Sequence, residues 1–137
     1  MVPALGIDIG RVIIDGPADS RRDTGFFHGD EAAMLATPEM PGAFDTIRRL
    51  VDRFDGRVWL VSKCGRRAEK RAHCVALGLT HFVDDHPDVH AAIRGAVRHQ
   101  YFFGPQREPV PDYGEAAPTW ADVERLVSAT LPLVGEQ

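Results

Sequence analysis

The chain has few cysteines, few lysines and no long apolar run, and each shortage excludes a class of protein. Two cysteines in 137 residues, Cys64 and Cys74, do not make a disulfide framework, so we expect both thiols to be reduced. No apolar run approaches the roughly 18 to 20 residues that span a bilayer. The first residues also lack the basic start and apolar core of a signal peptide. We therefore expect a cytoplasmic protein with no membrane partner.

A basic excess is also missing. The formal charge is −4 at pH 7, which gives no general attraction to nucleic acid or to an anionic membrane. Of the 16 lysines and arginines, only Lys63 and Lys70 are lysines. Because the chain otherwise uses arginine as its cation, these two lysines are candidates for a specific role.

Apolar runs alternate with amphipathic helical patterns along the chain. The expected strands are a short run from Leu5 that delivers Asp8 at its end, 57–61, 80–83 and 100–103, and the expected helices are 42–54, 66–79, 88–97 and one that starts at Thr119. Residues 11–27 are expected to form a hairpin-like flap and a loop, 28–42 a loop with some helix, and 108–118 a loop. This alternation predicts a single α/β domain over residues 1–137, a doubly wound, mostly parallel sheet flanked by helices.

The spacing of apolar residues also predicts which helix faces are buried. Thr119 and Asp122 have the spacing of a capping box, and Asp88 is a plausible N-cap. The expected buried faces are Phe44, Ile47, Leu50, Val51 and Phe54 in the first helix, Ala68, Ala72, Val75, Ala76 and Leu79 in the second, and Trp120, Val123, Leu126 and Val127 in the last.

Polar side chains follow three of the expected strands, where ligands bind in doubly wound sheets. These are Asp8, Ser62 and the pair Asp84 and Asp85. Carboxylates that converge from different strands suggest a hard cation such as Mg²⁺. A hydroxyl and a lysine would complete a pocket for a phosphoryl group.

A zinc site is an alternative metal centre. Its ligands would be Cys64, His73, Cys74 and His81. The spacing of a recognised zinc-ligand pair is missing from this set. The acidic site is therefore the preferred interpretation.

The order of these motifs resembles that of the haloacid dehalogenase superfamily. The resemblance covers residues 5 to about 106. It rests on Ile7-Asp8-Ile9-Gly10, on Val58-Trp59-Leu60-Val61-Ser62, on Lys70 and on His81-Phe82-Val83-Asp84-Asp85.

The resemblance implies a role for each of these residues. Asp8 would be the nucleophile and a metal ligand, and the carbonyl of Gly10 would be a backbone metal ligand. Ser62, aided by the backbone amide of Lys63, would bind phosphate, and Lys70 would pair with both phosphate and nucleophile. Asp84 and Asp85 would form the acidic Mg²⁺ site, with Asp85 favoured as the direct ligand. His86, beside them, is either an acid/base or a loop residue, and we favour the loop.

Two departures from the superfamily pattern bear on the chemistry. Gly10 stands where its phosphatases have a second Asp, the general acid, whose loss typically costs ~10² to 10⁴ in rate. Some branches that the sequence also resembles, phosphonate hydrolases and ion-pumping ATPases, lack that Asp too.

The second departure is in the architecture. One helix alone separates Ser62 from Asp84, so the sheet is expected to lack an edge strand. The stretch 11–42 is too short for a cap domain, and an open site suits a large phosphorylated substrate.

These features predict an Mg²⁺-dependent phosphatase-like hydrolase or phosphotransferase that is weak on simple phosphomonoesters. The alternative is a pseudoenzyme that keeps the fold as a binding or scaffold module. The opening run Leu5-Gly6-Ile7-Asp8-Ile9-Gly10 also looks like the first phosphate loop of actin-like sugar kinases. Those enzymes close two large domains around ATP, for which this chain is too short.

Overall fold

The computed structural model describes residues 2–14, 38–61 and 67–132. Five strands and four helices lie in these residues. In chain order they are β1 (Leu5–Ile7), α1 (Ala43–Arg53), β2 (Val58–Leu60), α2 (Arg67–Leu77), β3 (His81–Asp84), α3 (Pro87–Ile93), β4 (His99–Phe103), β5 (Glu115–Ala117) and α4 (Trp120–Ser128).

The five strands form one parallel sheet in the order β2-β1-β3-β4-β5. Strand β1 lies between β2 and β3, so that Leu5 is opposite Val58 on one side and His81 on the other. The chain winds outward from β1 first in one direction and then in the other. The predicted doubly wound α/β fold is confirmed, and its switch point lies between the carboxyl ends of β1 and β3.

Helices cover both faces of the sheet. On one face α1 contacts α4, and the core between them and the sheet includes Leu50, Phe54 and Trp120. On the other face α2 contacts α3 over Phe82 and Ile93. The central strands β1 and β3 are thus buried on both faces, and every residue of both strands is buried.

A tight turn follows β1 and fixes the chain beside the switch point. Val12, Ile13 and Ile14 are buried in it, at the start of the stretch where the sequence predicted a hairpin-like flap. The Trp120 indole N–H donates to the Val12 carbonyl at 2.7 Å, and the Met40 amide donates to the Ile13 carbonyl at 2.7 Å. The rest of the predicted flap, residues 15–27, and the stretch 28–37 lie outside the described residues.

Two predicted helix faces are only partly right: Leu50 and Phe54 of the first and Leu79 of the second are buried as predicted. Helix α1 buries Ala43, Thr46 and Leu50, while Phe44 and Val51 are exposed. Helix α2 begins at Arg67 and buries Lys70 and Cys74, while Ala72, Val75 and Ala76 are exposed. In α2 the polar contacts of Lys70 decide which face is buried. A prediction based on the spacing of apolar residues does not take such contacts into account.

Two smaller predictions at the β3–α3 junction and before α4 also differ from the structure. The N-cap of α3 is His86, whose side chain accepts from the Asp88 amide at 3.1 Å, so Asp88 lies in the first turn. Residues Glu115–Ala117, predicted as loop, form β5 because they pair with Tyr101–Phe103 of β4. The capping box of Thr119 and Asp122 at the start of α4 is confirmed.

The Trp120 hydrogen bond predicts a stability difference between the two tryptophans. Trp120→Phe removes the donor and leaves the buried Val12 carbonyl without it, so we expect a loss of about 2 kcal/mol in the free energy of unfolding. The matched control is Trp59→Phe, which changes a partly buried side chain on β2 and should cost about 1 kcal/mol or less. Urea denaturation measures both; equal losses would show that the indole N–H does not anchor the turn.

Candidate functional site

Three carboxylates meet at the switch point of the sheet. Asp8 directly follows β1, Asp84 is the last residue of β3 and Asp85 is the next. The two strands are parallel neighbours with Ile7 opposite Val83, and the Asp8 amide donates to the Val83 carbonyl at 2.9 Å. One oxygen from each carboxylate lies within 4.8 Å of the others. The acidic residues predicted from the sequence are therefore brought together.

Lys70 reaches the same cluster from α2. Its Nζ lies 3.2 Å from Asp8 Oδ1 and 3.4 Å from Asp84 Oδ2. Asp8 and Asp84 are each 1% exposed and Lys70 is 5% exposed, so this three-residue ionic cluster is almost wholly withdrawn from water. The lysine that the sequence singled out contacts the predicted nucleophile.

The charges of this cluster do not balance. Burial raises the pKa of Asp8, against the opposing effect of the Lys70 ammonium. Burial and the neighbouring Asp8 charge raise the pKa of Asp84 well above its usual range. Burial lowers the pKa of Lys70, but the two carboxylates outweigh it and the net shift is upward. Two buried carboxylates share one ammonium, so with both carboxylates ionised the cluster has an excess of negative charge that a proton or a cation would offset.

Asp84 is held in place from both its side chain and its backbone. Its Oδ1 accepts the His86 amide at 2.9 Å, and its carbonyl accepts from His90 Nε2 at 2.9 Å. The other ring nitrogen of His90 lies 3.1 Å from Gln100 Nε2, which donates to it. Burial lowers the pKa of His90 to about 4, so the ring is neutral and its Nε2 carries the proton. Neither His90 nor Gln100 was predicted from the sequence.

Asp85 keeps one carboxylate oxygen available. Gln106 Nε2 donates to its carbonyl at 3.0 Å, and Arg11 Nε donates to its Oδ2 at 3.1 Å. Its Oδ1 is buried and receives no hydrogen bond from the described residues. Such an oxygen normally has a partner, so Asp85 Oδ1 fits a role as a cation ligand. Arg11 was not predicted as a site residue, although it directly follows Gly10.

Gly10 opens the turn after β1, two residues beyond Asp8, and forms a bridge with Ile14. It has no side chain that could donate a proton. His86 does not fill this role from its observed position, because its Nδ1 accepts the Asp88 amide and caps α3. The loop interpretation of His86 is therefore the one that its contacts support.

The predicted phosphate-binding residues and the ligands of the alternative zinc site remain to be placed. Ser62 and Lys63, predicted to bind phosphate, lie outside the described residues, as does Cys64 of the alternative zinc site. The ring nitrogens of His81 lie 2.7 Å from the Thr80 and Thr130 hydroxyls, and burial lowers its pKa to about 3. Over residues 2–14, 38–61 and 67–132, the aspartate cluster is the one group with three metal-ligand side chains.

No protein-family model matches the chain, and no curated protein matches its sequence. The class of protein is therefore described by its fold and its site: it is a doubly wound α/β protein with a buried aspartate–lysine cluster at the switch point. In the part of the chain that the structure describes, every helix is too short or too polar to cross a membrane.

The unbalanced cluster predicts a pH-dependent effect of removing Lys70. Lys70→Met leaves Asp8 and Asp84 buried without a cation, which should cost about 3 to 5 kcal/mol at pH 8 in EDTA. Both carboxylates have raised pKa values in the folded protein, and they rise further in the variant. Protonation then favours the folded state, so the loss shrinks as the pH falls toward 5.

Urea denaturation at pH 5 and pH 8 measures this difference. The control Arg48→Met removes a cation from the exposed surface of α1 and should change the free energy of unfolding by about 0.5 kcal/mol or less at either pH. A loss in Lys70→Met that is the same at both pH values would contradict the account of the cluster.

Proposed function

We propose that the protein is an Mg²⁺-dependent phosphoryl-transfer enzyme of the haloacid dehalogenase type, a phosphatase-like hydrolase or phosphotransferase with Asp8 as nucleophile. One observation carries the proposal. Lys70 and Asp84 lie 62 and 76 residues from Asp8 in the chain, yet Lys70 contacts both carboxylates in a single buried cluster. The motifs were assigned by their order in the sequence, and the described ones meet at one point.

The cation site in this proposal consists of Asp8, Asp84, Asp85 and the Gly10 carbonyl. The buried Asp85 Oδ1 supports it, because a carboxylate oxygen without a hydrogen bond has its lone pairs available to a hard cation. Asp84 already accepts from Lys70 and from the His86 amide, which favours Asp85 over Asp84 as the direct carboxylate ligand from this pair. A bound Mg²⁺ would supply positive charge to the phosphoryl oxygens.

Asp8 performs the first step. Lys70 contacts Oδ1, so we assign the attack on phosphorus to Oδ2. The new Oδ2–P bond forms while the bond between phosphorus and the leaving oxygen breaks, and the electron pair of that bond leaves with the departing group. The Lys70 ammonium neutralises charge on the transferring group and orients the nucleophile.

Gly10 determines which leaving groups can depart. With no acid at this position, the leaving oxygen departs as an anion, which acyl and aryl phosphates allow and alkyl phosphates resist. The second step, attack of water on the aspartyl phosphate, releases a proton that position 10 cannot accept. We therefore expect Asp8 to hold the phosphoryl group long enough for transfer to an acceptor or for slow hydrolysis.

The proposed substrate class rests on the length of the chain around the site. The stretch between β1 and α1 is too short for a cap domain, which favours a large phosphorylated partner over a small sequestered one. We place the reaction in the cytoplasm, in keeping with the free, buried thiol of Cys74.

Gly10 also favours a second candidate, a pseudoenzyme. In that case the aspartate cluster would bind a cation or a phosphorylated partner without turnover. The two functions differ in a measurable way, because a binding module forms no covalent bond to Asp8.

Turnover of acetyl phosphate and of an aryl phosphate, each with and without Mg²⁺, tests the enzyme proposal. We expect Mg²⁺-dependent turnover that Asp8→Asn reduces by about 10³-fold or more, since the amide is not a nucleophile. Asp45→Asn, an equivalent change on the exposed surface of α1, is the control and should leave the rate unchanged. Binding of phosphate without turnover of either substrate would instead establish the pseudoenzyme.

Restoring an acid at position 10 tests the role assigned to Gly10. We expect Gly10→Asp to raise the rate on an alkyl phosphate by about 10²-fold, a gain that is lost as the pH rises through the pKa of the new carboxyl group. Gly10→Asn has nearly the same shape but no proton to give, so it separates acid catalysis from steric effects. A folded Gly10→Asp variant with an unchanged rate would show that the missing acid does not limit the reaction.

A further inference from the structure

Arg11 lies beside the acidic site in an unfavourable backbone conformation. Its φ angle is 60°, in the left-handed region that glycine adopts readily and that costs other residues about 1 kcal/mol or more. Its guanidinium Nε donates to Asp85 Oδ2 at 3.1 Å, and the two side chains are 26% and 20% exposed. A long cation is thus kept where a glycine would suit the backbone better.

The turn that carries Arg11 does not depend on this ion pair. The Arg11 amide donates to the Ile14 carbonyl at 3.0 Å, and the Val12 and Ile13 carbonyls accept from the Trp120 indole and the Met40 amide. These backbone bonds position the turn from within the core. One effect of the guanidinium is therefore its charge at Asp85.

The negative charge of the Asp85 carboxylate is the charge that would attract a divalent cation. Asp8, Asp84 and Asp85 supply three carboxylates, against which stand the ammonium of Lys70 and the guanidinium of Arg11. Lys70 contacts Asp8 and Asp84, whereas Arg11 contacts Asp85. With Arg11 in place, a cation at Asp85 Oδ1 meets a carboxylate whose charge is already partly neutralised and a positive group close by.

We propose that Arg11 competes with the divalent cation for Asp85 and thereby sets the affinity of the site for the metal. Binding of the cation weakens the Arg11–Asp85 ion pair, and the ion pair weakens binding of the cation. The inference rests on the cation site of the proposed function. It adds a residue to that site that opposes the cation.

Affinity for Mn²⁺, measured by calorimetry or electron paramagnetic resonance on the full chain at fixed ionic strength, tests this inference without reference to activity. We expect Arg11→Gln and Arg11→Gly to bind Mn²⁺ about tenfold more tightly than the wild type. Glycine suits the φ of 60°, so Arg11→Gly removes the guanidinium without straining the turn. Arg48→Gln, which removes a cation from the exposed surface of α1, should bind like the wild type.

Thermal unfolding adds a second measurement. Mg²⁺ should raise the melting temperature of both Arg11 variants by more than it raises that of the wild type, because tighter binding stabilises the folded state further. A purely structural role for Arg11 would lower the melting temperature in EDTA and leave the gain from Mg²⁺ unchanged.

The possible results separate this inference from the proposed function. If the wild type binds Mn²⁺ and both Arg11 variants bind it equally or more weakly, competition by Arg11 is wrong and the cation site stands. If Mn²⁺ binds to the Arg11 variants and not measurably to the wild type, the inference is supported. If none of the proteins binds Mn²⁺, the cation site itself is wrong, and the inference falls with it.

Discussion

The contact between the Lys70 ammonium and the two carboxylates of Asp8 and Asp84 is the interaction on which the site depends. It joins α2 to the ends of β1 and β3, and it lies almost entirely out of water. Removing such groups from water costs several kcal/mol per ion, and an apolar replacement of similar size is often as stable. The cluster is thus poorly explained by stability alone. The proposed reactive centre, with a nucleophile beside a fixed cation, would account for it.

The same contact shows where prediction from the sequence succeeds and fails. The strands β1 and β3 and the capping box of α4 depend on neighbouring residues, and all three were predicted. The buried face of α2 was not, because Lys70 turns inward to meet carboxylates from distant strands. Strand β5 was missed for a similar reason, since Glu115–Ala117 owes its conformation to pairing with β4 and has little strand preference of its own.

The residues of the site also fall into those that the sequence predicted and those that it did not. Asp8, Asp84, Asp85 and Lys70 were found from the sequence because strand ends and residue types mark them. Arg11, His90, Gln100 and Gln106 act through hydrogen bonds whose partners lie 6 to 74 residues away, and no common spacing marks such bonds. They fix the backbone of Asp84 and Asp85 and bind one carboxylate oxygen. The structure therefore adds the residues that orient the predicted ones.

Two adjacent residues in the turn after β1 bear on the chemistry proposed for this site. Gly10 offers no acid to the leaving group, and Arg11 offers a cation to Asp85. The most direct test of the central claim, that Asp8 accepts a phosphoryl group beside a cation, is a crystal structure with Mg²⁺ and beryllium fluoride. The account predicts fluoroberyllate bonded to the Asp8 carboxylate and Mg²⁺ held by Asp8 and Asp85. Well-resolved carboxylates with neither group bound would contradict it.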